Sequence, residues 1–307
     1  MGKALASRDH RTVVVGVDGS MTSTVTVGLA AAEAARRAAR LLIVHAWPGH
    51  YRGRFRMRGP HRGEAEGSQL LAVAARHAAA TDPELVVETE LRAGLPGDAL
   101  AEWSREAGLL VIGHRDGQTT RQDWGSTARA LARTCHCPLL VQQGRCNPRG
   151  PVVAGVSGRP GEPALGYAFV QAALAGVDLV AAYGWRRPAD RPDRHPLPVM
   201  AGDPLRQAVA ERLAAALVEW SWRLPQVAVQ PLVVPDLDVP YTVDRALRRS
   251  RLLVTGTGGR GELTELIGVP PRRAAGNHGF CPVLLVPPDW PVELPDDASA
   301  PAGRVTG

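Results

Sequence analysis

The sequence pattern of this chain is written twice. Residues 12–17 read Thr-Val-Val-Val-Gly-Val and residues 151–156 read Pro-Val-Val-Ala-Gly-Val, so Gly16 meets its counterpart at Gly155, 139 residues on. Gly113 closes an apolar run and corresponds to Gly256 at an offset of 143. Cys137-Pro138-Leu139-Leu140-Val141 corresponds to Cys281-Pro282-Val283-Leu284-Leu285 at an offset of 144. A slowly drifting offset is what small loop insertions produce. A repeat of about 140 residues is a duplicated domain, not a solenoid of short units. The chain has 307 residues, enough for two such domains.

Within each copy, short apolar runs alternate with helix-like stretches. In the first, strands are expected at 12–17, 41–46, 85–90, 109–112 and 138–142, with helices at 22–40, 64–80, 98–107 and 126–133. In the second, strands are expected at 151–156, 179–183, 227–234, 252–255 and 281–286. Asp203-Pro204 is a good helix start, an N-cap followed by Pro at the first helical position. The helix it opens carries Leu205, Val209, Leu213, Leu217 and Trp220 on one face. Strands alternating with helices require crossover connections, hence an α/β fold with a parallel sheet covered on both faces. The expected domains are 11–143 and 150–288, joined by a linker at Gly144–Gly150 and followed by a disordered tail at 289–307.

Composition excludes several classes. Hydrophobic residues are 45% and charged residues 21%, a globular balance. No run of about 18 apolar residues suggests a membrane span, and Met1–Arg11 lacks the apolar core of a secretory signal, so a cytoplasmic protein is expected. The net charge of +6 rests on arginine, because Lys occurs only at Lys3. Arg52, Arg54, Arg56, Arg58 and Arg62 cluster around Tyr51 and Phe55. Their setting among Gly53, Gly59, Pro60 and Gly63 reads as a solvated loop rather than a nucleic-acid contact. Four cysteines are too few for a disulfide scaffold. Cys135-His136-Cys137 offers no second ligand pair nearby, so no metal site is expected.

In open parallel sheets, ligands bind beyond the carboxyl ends of the strands, where the strand order switches. Asp18-Gly19-Ser20 follows the first strand. Gly113-His114-Arg115-Asp116-Gly117 follows the fourth, and Gly125-Ser126-Thr127 then opens a helix. Glycines admit close backbone approach, and a helix N-terminus offers unpaired N–H groups to an anion. Asp18 can accept from a ribose hydroxyl or an adenine amine, or simply cap the first helix. These residues point to an anion or nucleotide site.

They also resemble the universal stress protein family. The resemblance rests on Val-Gly-Val-Asp-Gly-Ser at the first strand end, the strand ending in Gly113, Gly125-Ser126 before a helix, and the Cys137-Pro138 strand. It spans both copies, from about residue 11 to 287. It implies tandem five-stranded sheets ordered 3-2-1-4-5, of the adenine-nucleotide alpha-hydrolase-like kind, paired through their fifth strands. It implies ATP as the ligand, with Asp18 and the backbone near Val44 meeting adenosine. Gly113, Gly117, Gly125, Ser126 and Thr127 would meet ribose and phosphates.

The first copy departs from the family's Gly-x2-Gly-x9-Gly-Ser/Thr pattern. Gly125 follows Gly113 one residue early, and Asp116 stands where the second glycine belongs. Mg2+ between Asp116 and the phosphates would offset their repulsion. The second copy departs further: Ser157 replaces the aspartate, Val269 the hydroxyl residue, and Pro270 and Pro271 remove N–H donors. ATP is therefore expected in the first domain only.

Rival motifs fail on context. Gly256-x-Gly258-x-x-Gly261 has no acidic residue at the distance a dinucleotide fold needs. A Walker lysine is absent, and no Gly-x-Ser-x-Gly elbow stands at a strand end. No base–nucleophile pair can be assembled from the nine histidines, so no catalytic residues are named. The expected function is an ATP-binding stress regulator, compatible with slow hydrolysis, which works with protein partners and in a homodimer. The alternative is a module of the same fold that binds proteins and no nucleotide.

Overall fold

The computed structural model describes residues 11–47, 63–114, 125–144, 147–156, 161–185, 204–235, 248–257 and 281–294. The loop at Arg52–Arg62, residues Arg115–Gly117, Ser157, residues 258–280 and the tail from 295 lie outside them. Two compact units are resolved. One runs to Gly144 and includes Pro282–Pro287; the other holds Arg145–Cys281 and the residues from Pro288.

The first unit contains β1 (Thr12–Gly16), α1 (Met21–Arg36), β2 (Arg40–Trp47), α2 (Glu64–Thr81), β3 (Val87–Ala93), α3 (Pro96–Trp103), β4 (Leu109–Gly113), α4 (Ser126–Thr134) and β5 (Leu139–Gln142). Its strands run β3-β2-β1-β4-β5, all parallel, as expected. The central strands are buried on both faces, with Val13–Val15 and Leu109–Val111 at 1% exposure or less. That is why they read as unbroken apolar runs instead of alternating ones. Helix α1 packs with α2, and α3 with α4. Right-handed crossovers on either side of β1 and β4 place these pairs on opposite faces.

The second unit contains β6 (Val152–Val156), α5 (Pro163–Ala175), β7 (Leu179–Trp185), α6 (Pro204–Arg223), β8 (Val229–Pro235) and β9 (Leu252–Gly256). Its parallel order is β8-β7-β6-β9. In α6, Val209, Leu213, Leu217 and Trp220 are buried, while Val218 and Trp222 are exposed. The four-and-three spacing thus sets the packed face.

The fifth strand of the second sequence copy, β10 (Val283–Val286), belongs to the first unit, where it pairs antiparallel with β5. The compact units therefore differ from the sequence repeats by one strand. The reason is physical: β5 would otherwise present an apolar edge with unpaired backbone groups, and fully buried Val283–Val286 covers it. The segment expected as a linker is also tied down at its end. Asn147 donates from Nδ2 to Arg249 O (3.0 Å), and Arg251 donates to Pro148 O (2.9 Å).

One buried charge is built into α1. Glu33 is 3% exposed and pairs with Arg36 and Arg37 on the next turn. Burial pushes its carboxyl up, but Arg37 and Arg36 outweigh that and hold it at about 2, against an ordinary 4.5. A depressed pKa adds stability above the unfolded value that is lost as pH falls through the folded one. The shift corresponds to on the order of 3 kcal/mol. Glu33→Gln should therefore be clearly less stable than the parent at neutral pH, with the gap narrowing between pH 4.5 and about 2. Urea midpoints across that range check it; a constant gap would mean the charge is not what stabilises.

Candidate functional site

The strand order reverses between β1 and β4: the connection after β1 leads to β2 on one side, and that after β4 leads to β5 on the other. The crevice at their carboxyl ends is where ligands bind in such sheets. Asp18 leaves β1, Gly113 ends β4 beside it, and Gly16 is registered with Ile112. Because α4 leads into parallel β5, its N-terminus lies at the same edge.

Asp18 is exposed, and its loop is closely held. Its Oδ1 accepts from the Ser20 N–H (2.9 Å) and the Ser23 hydroxyl (3.0 Å). Its own N–H donates to Ser23 Oγ (3.3 Å). Gly19 between them has φ 75°, which a side chain would disfavour. The aspartate therefore does fasten the start of α1, and the same fastening fixes the carboxylate at the crevice.

Val44 is buried and acts as a strut. Its carbonyl accepts the Val17 N–H (3.0 Å), and the neighbouring His45 donates from Nδ1 to Val17 O (2.8 Å). The exit of β1 is thus clamped to β2 at two points. Gly113 has a packing role the sequence reading did not give it. A Cβ there would lie 2.7 Å from Thr26 Oγ1 and 3.5 Å from Thr22 Oγ1 on α1. Beyond it, the His114 N–H donates to Gln142 O (2.7 Å).

Gly125 is the N-cap of α4, with φ −57° and ψ 162° and no side-chain cap. The first helical bond runs from Arg129 N–H to Gly125 O (3.0 Å), so the preceding N–H groups of the first turn have no partner within the helix. Among the described residues a Cβ on Gly125 would meet nothing within 4 Å, and Ser126 is exposed beside it. Among the described residues nothing covers this N-terminus.

The structure thus brings Asp18, Gly113, Gly125, Ser126 and Thr127 to one edge, with Val44 as support. Gly117 and Asp116 lie outside the described residues. Sequence reasoning missed Thr22, Ser23, Thr26 and His45. The i, i+4 pair Thr22 and Thr26, polar and buried or half-buried in an alanine-rich helix, was the available signal. A cleft of about 560 Å³ lies between α1 and α2 beside the Asp18 loop, lined by Val17, Gly19, Ser20, Val27, Leu70 and His77 among others. Among the described residues no cluster could hold a metal ion, and no helix is long and apolar enough to cross a membrane.

Comparison with known proteins now bears on these observations. A model of the universal stress protein family matches residues 10–142, the first copy. Universal stress protein Rv2005c of Mycobacterium tuberculosis is 32% identical over 281 residues, covering 85% of this chain and 91% of its own. The chain belongs to the universal stress protein family. Rv1996 of the same organism, also a universal stress protein, is 30% identical over 325 residues, covering 97% and 99% of the two chains. Among solved structures, a universal stress protein from Archaeoglobus fulgidus matches 90% of this chain and 96% of its own, with TM-score 0.57 at 12% identity. A Pseudomonas aeruginosa protein, PA1789, gives TM-score 0.59 at 17% identity over 92% and 94%. The universal stress protein fold therefore extends over both copies, of which the first keeps the Asp18 loop and the open α4 terminus.

Proposed function

We propose that the first unit binds an adenine nucleotide, with ATP as the ligand, and that the protein acts as a nucleotide-responsive stress regulator rather than a catalyst. The observation that carries this reading is the N-terminus of α4, uncapped and unobstructed by any described residue, at the strand edge where Asp18 is held. The helix end supplies N–H donors and partial positive charge to phosphate. Asp18 supplies an acceptor for the adenosine part, and Ser126 and Thr127 add hydroxyl donors. Mg2+ is the natural companion of the phosphates, since the sequence places Asp116 between Gly113 and Gly125. The sequence-based expectation that the second copy is silent follows from Ser157 and Val269.

One observation favours the rival, a protein-binding module without nucleotide. The hydrogen bonds of Asp18 Oδ1 to Ser20 and Ser23 are local and are of the kind a structural clasp uses. Asp18→Asn separates the two readings, because the amide oxygen can keep both bonds while the charge is lost. The proposed site predicts ATP affinity reduced roughly tenfold or more, from a lost charge-assisted hydrogen bond. The melting temperature should stay near the parent's. Unchanged affinity for ATP would take Asp18 out of the site.

A further inference from the structure

One chemically reactive cluster lies outside the nucleotide reading. Cys135 and Cys137 flank His136 where α4 gives way to β5, and both are free thiols. Their Sγ atoms are 3.8 Å apart. The approach follows from the backbone: Cys135 is extended, with φ −70° and ψ 135°, and alternate residues of an extended chain share a face. The turn is fixed from the neighbouring helix. The His136 N–H donates to Ser104 Oγ (3.0 Å), and the buried Ser104 hydroxyl donates to Ala101 O (2.7 Å). The Cys135 thiol also reaches the Cys137 carbonyl (3.2 Å).

The two sulfurs have different surroundings. Cys137 is fully buried, whereas Cys135 is half-buried and lines a cleft of about 500 Å³ beside α3 and α4. Arg105, Arg133 and His136 line the same cleft, along with Asp98 and Glu102. A hydrogen bond from Cys137 holds the Cys135 thiol below its ordinary range, while burial pushes the Cys137 thiol well above it. The thiolate thus forms on the accessible sulfur, and the neutral thiol stands directly behind it. Reactive cysteines need that combination of thiolate character and access, and a redox pair needs a second sulfur within reach.

We propose that Cys135 and Cys137 form an oxidation site for small hydroperoxides, in which Cys135 is the attacking thiol and Cys137 the resolving one. The Cys135 thiolate attacks one oxygen of hydrogen peroxide and the O–O bond breaks. The departing hydroxide takes a proton and leaves as water, and Cys135 becomes a sulfenic acid. The Cys137 sulfur then attacks the Cys135 sulfur and gives up its thiol proton to the hydroxyl, which leaves as a second water. Two thiols are oxidised to one disulfide, and one peroxide is reduced to two waters. Closing to a bond of about 2.05 Å needs the sulfurs to approach by less than about 2 Å, a distance that side-chain rotation at the two cysteines can supply while the Cys135 and His136 N–H groups keep their bonds to Leu131 O and Ser104 Oγ. An added dithiol reverses the step by exchange.

The test uses the full chain and hydrogen peroxide at equimolar dose, followed by blocking of remaining thiols. Trypsin releases Thr134–Arg145, which carries both cysteines and no other. The expected result is that this peptide becomes two hydrogens lighter and resists alkylation until reduced, about tenfold faster than any oxidation at buried Cys281. In Cys137→Ser, where resolution is blocked, a sulfenic-acid probe such as dimedone should label Cys135. Alkylatable Cys135 and Cys137 after peroxide, or earlier oxidation of Cys146 or Cys281, would overturn the assignment. The parent peptide map needs no variant, so the outcome holds whether or not Cys137→Ser folds.

Discussion

Gly125→Asp should abolish measurable ATP binding while leaving the protein as stable as the parent or slightly more so. The two effects have one cause. Gly125 is the uncapped N-cap of α4, its backbone is in a region any residue adopts, and among the described residues a Cβ there meets nothing within 4 Å. An aspartate enters without a clash. Its carboxylate accepts from the first-turn N–H groups, stabilising the helix by a few tenths of a kcal/mol relative to Gly, roughly. Those same N–H groups are the ones offered to phosphate, and the new charge faces the anion. Losing charge-assisted hydrogen bonds of about 1.5–3 kcal/mol each weakens binding by roughly 100-fold or more. Thermal unfolding and ATP titration of the same preparation check both signs. Retained affinity in a folded variant would remove α4 from the site. Lost affinity with a much lower melting temperature would mean that the substitution acted through the fold.

Gly166→Ala should destabilise the second unit strongly, although alanine is the better helix former. Propensity alone predicts a gain of about 1 kcal/mol from glycine to alanine within a helix. Gly166 lies in α5 against α6, however, where an added Cβ would fall 2.1 Å from Trp220 Cζ2 and 2.5 Å from Cη2. Trp220 has little room to move. It is 6% exposed, stacks on Phe169 with ring centroids 6.3 Å apart, and carries the Arg223 guanidinium 5.1 Å above its ring. Overpacking of this kind costs about 1–3 kcal/mol or more, so the clash outweighs propensity. Trp220→Leu costs stability by itself through the cavity it leaves. In the double variant Gly166→Ala/Trp220→Leu the clash is gone, so the two losses should not add. Denaturant midpoints of the four proteins measure this. A neutral Gly166→Ala, or additive losses, would contradict the packing described.

The elements that were legible in the sequence are those whose own residues decide their structure. Strands β1, β4 and β5 are buried on both faces and read as apolar runs, and α6 shows its four-and-three spacing. Helix α5 went unread for the opposite reason. Ala164–Ala172 is buried without a break and, Gln171 apart, carries no strongly polar side chain, so the helix has no periodic face to detect. Strand β3 begins two residues later than its composition suggests and extends to Ala93, because its limits are set by pairing with Leu41–Trp47 of β2. Helix α1 ends at Arg36 instead of Arg40. The Ala38 and Ala39 N–H groups bond back to Ala35 and Ala34, with Ala38 at φ 46°. An alanine in that position gives no signal of the kind glycine would.

The same division holds at the site. Asp18 and Gly125 could be read directly, because each acts through its own chemistry beside a strand or helix end. Gly113 was read as a place for phosphate, yet the contact that demands glycine is with Thr26, 87 residues earlier in the chain. His45 and Ser23 matter only because folding brings them to Val17 and Asp18. Residues that support others leave no local pattern. The move of β10 into the first unit is likewise a property of a sheet edge, not of any residue.

In the proposed function the first unit holds one adenine nucleotide through Asp18 and the α4 terminus. Calorimetric titration of magnesium-ATP into the full chain, freed of co-purified nucleotide and run beside GTP, tests it most directly. The account predicts saturable binding of one ATP per chain and markedly weaker binding of GTP. No heat of binding at millimolar ATP, from protein shown to be folded, would contradict it.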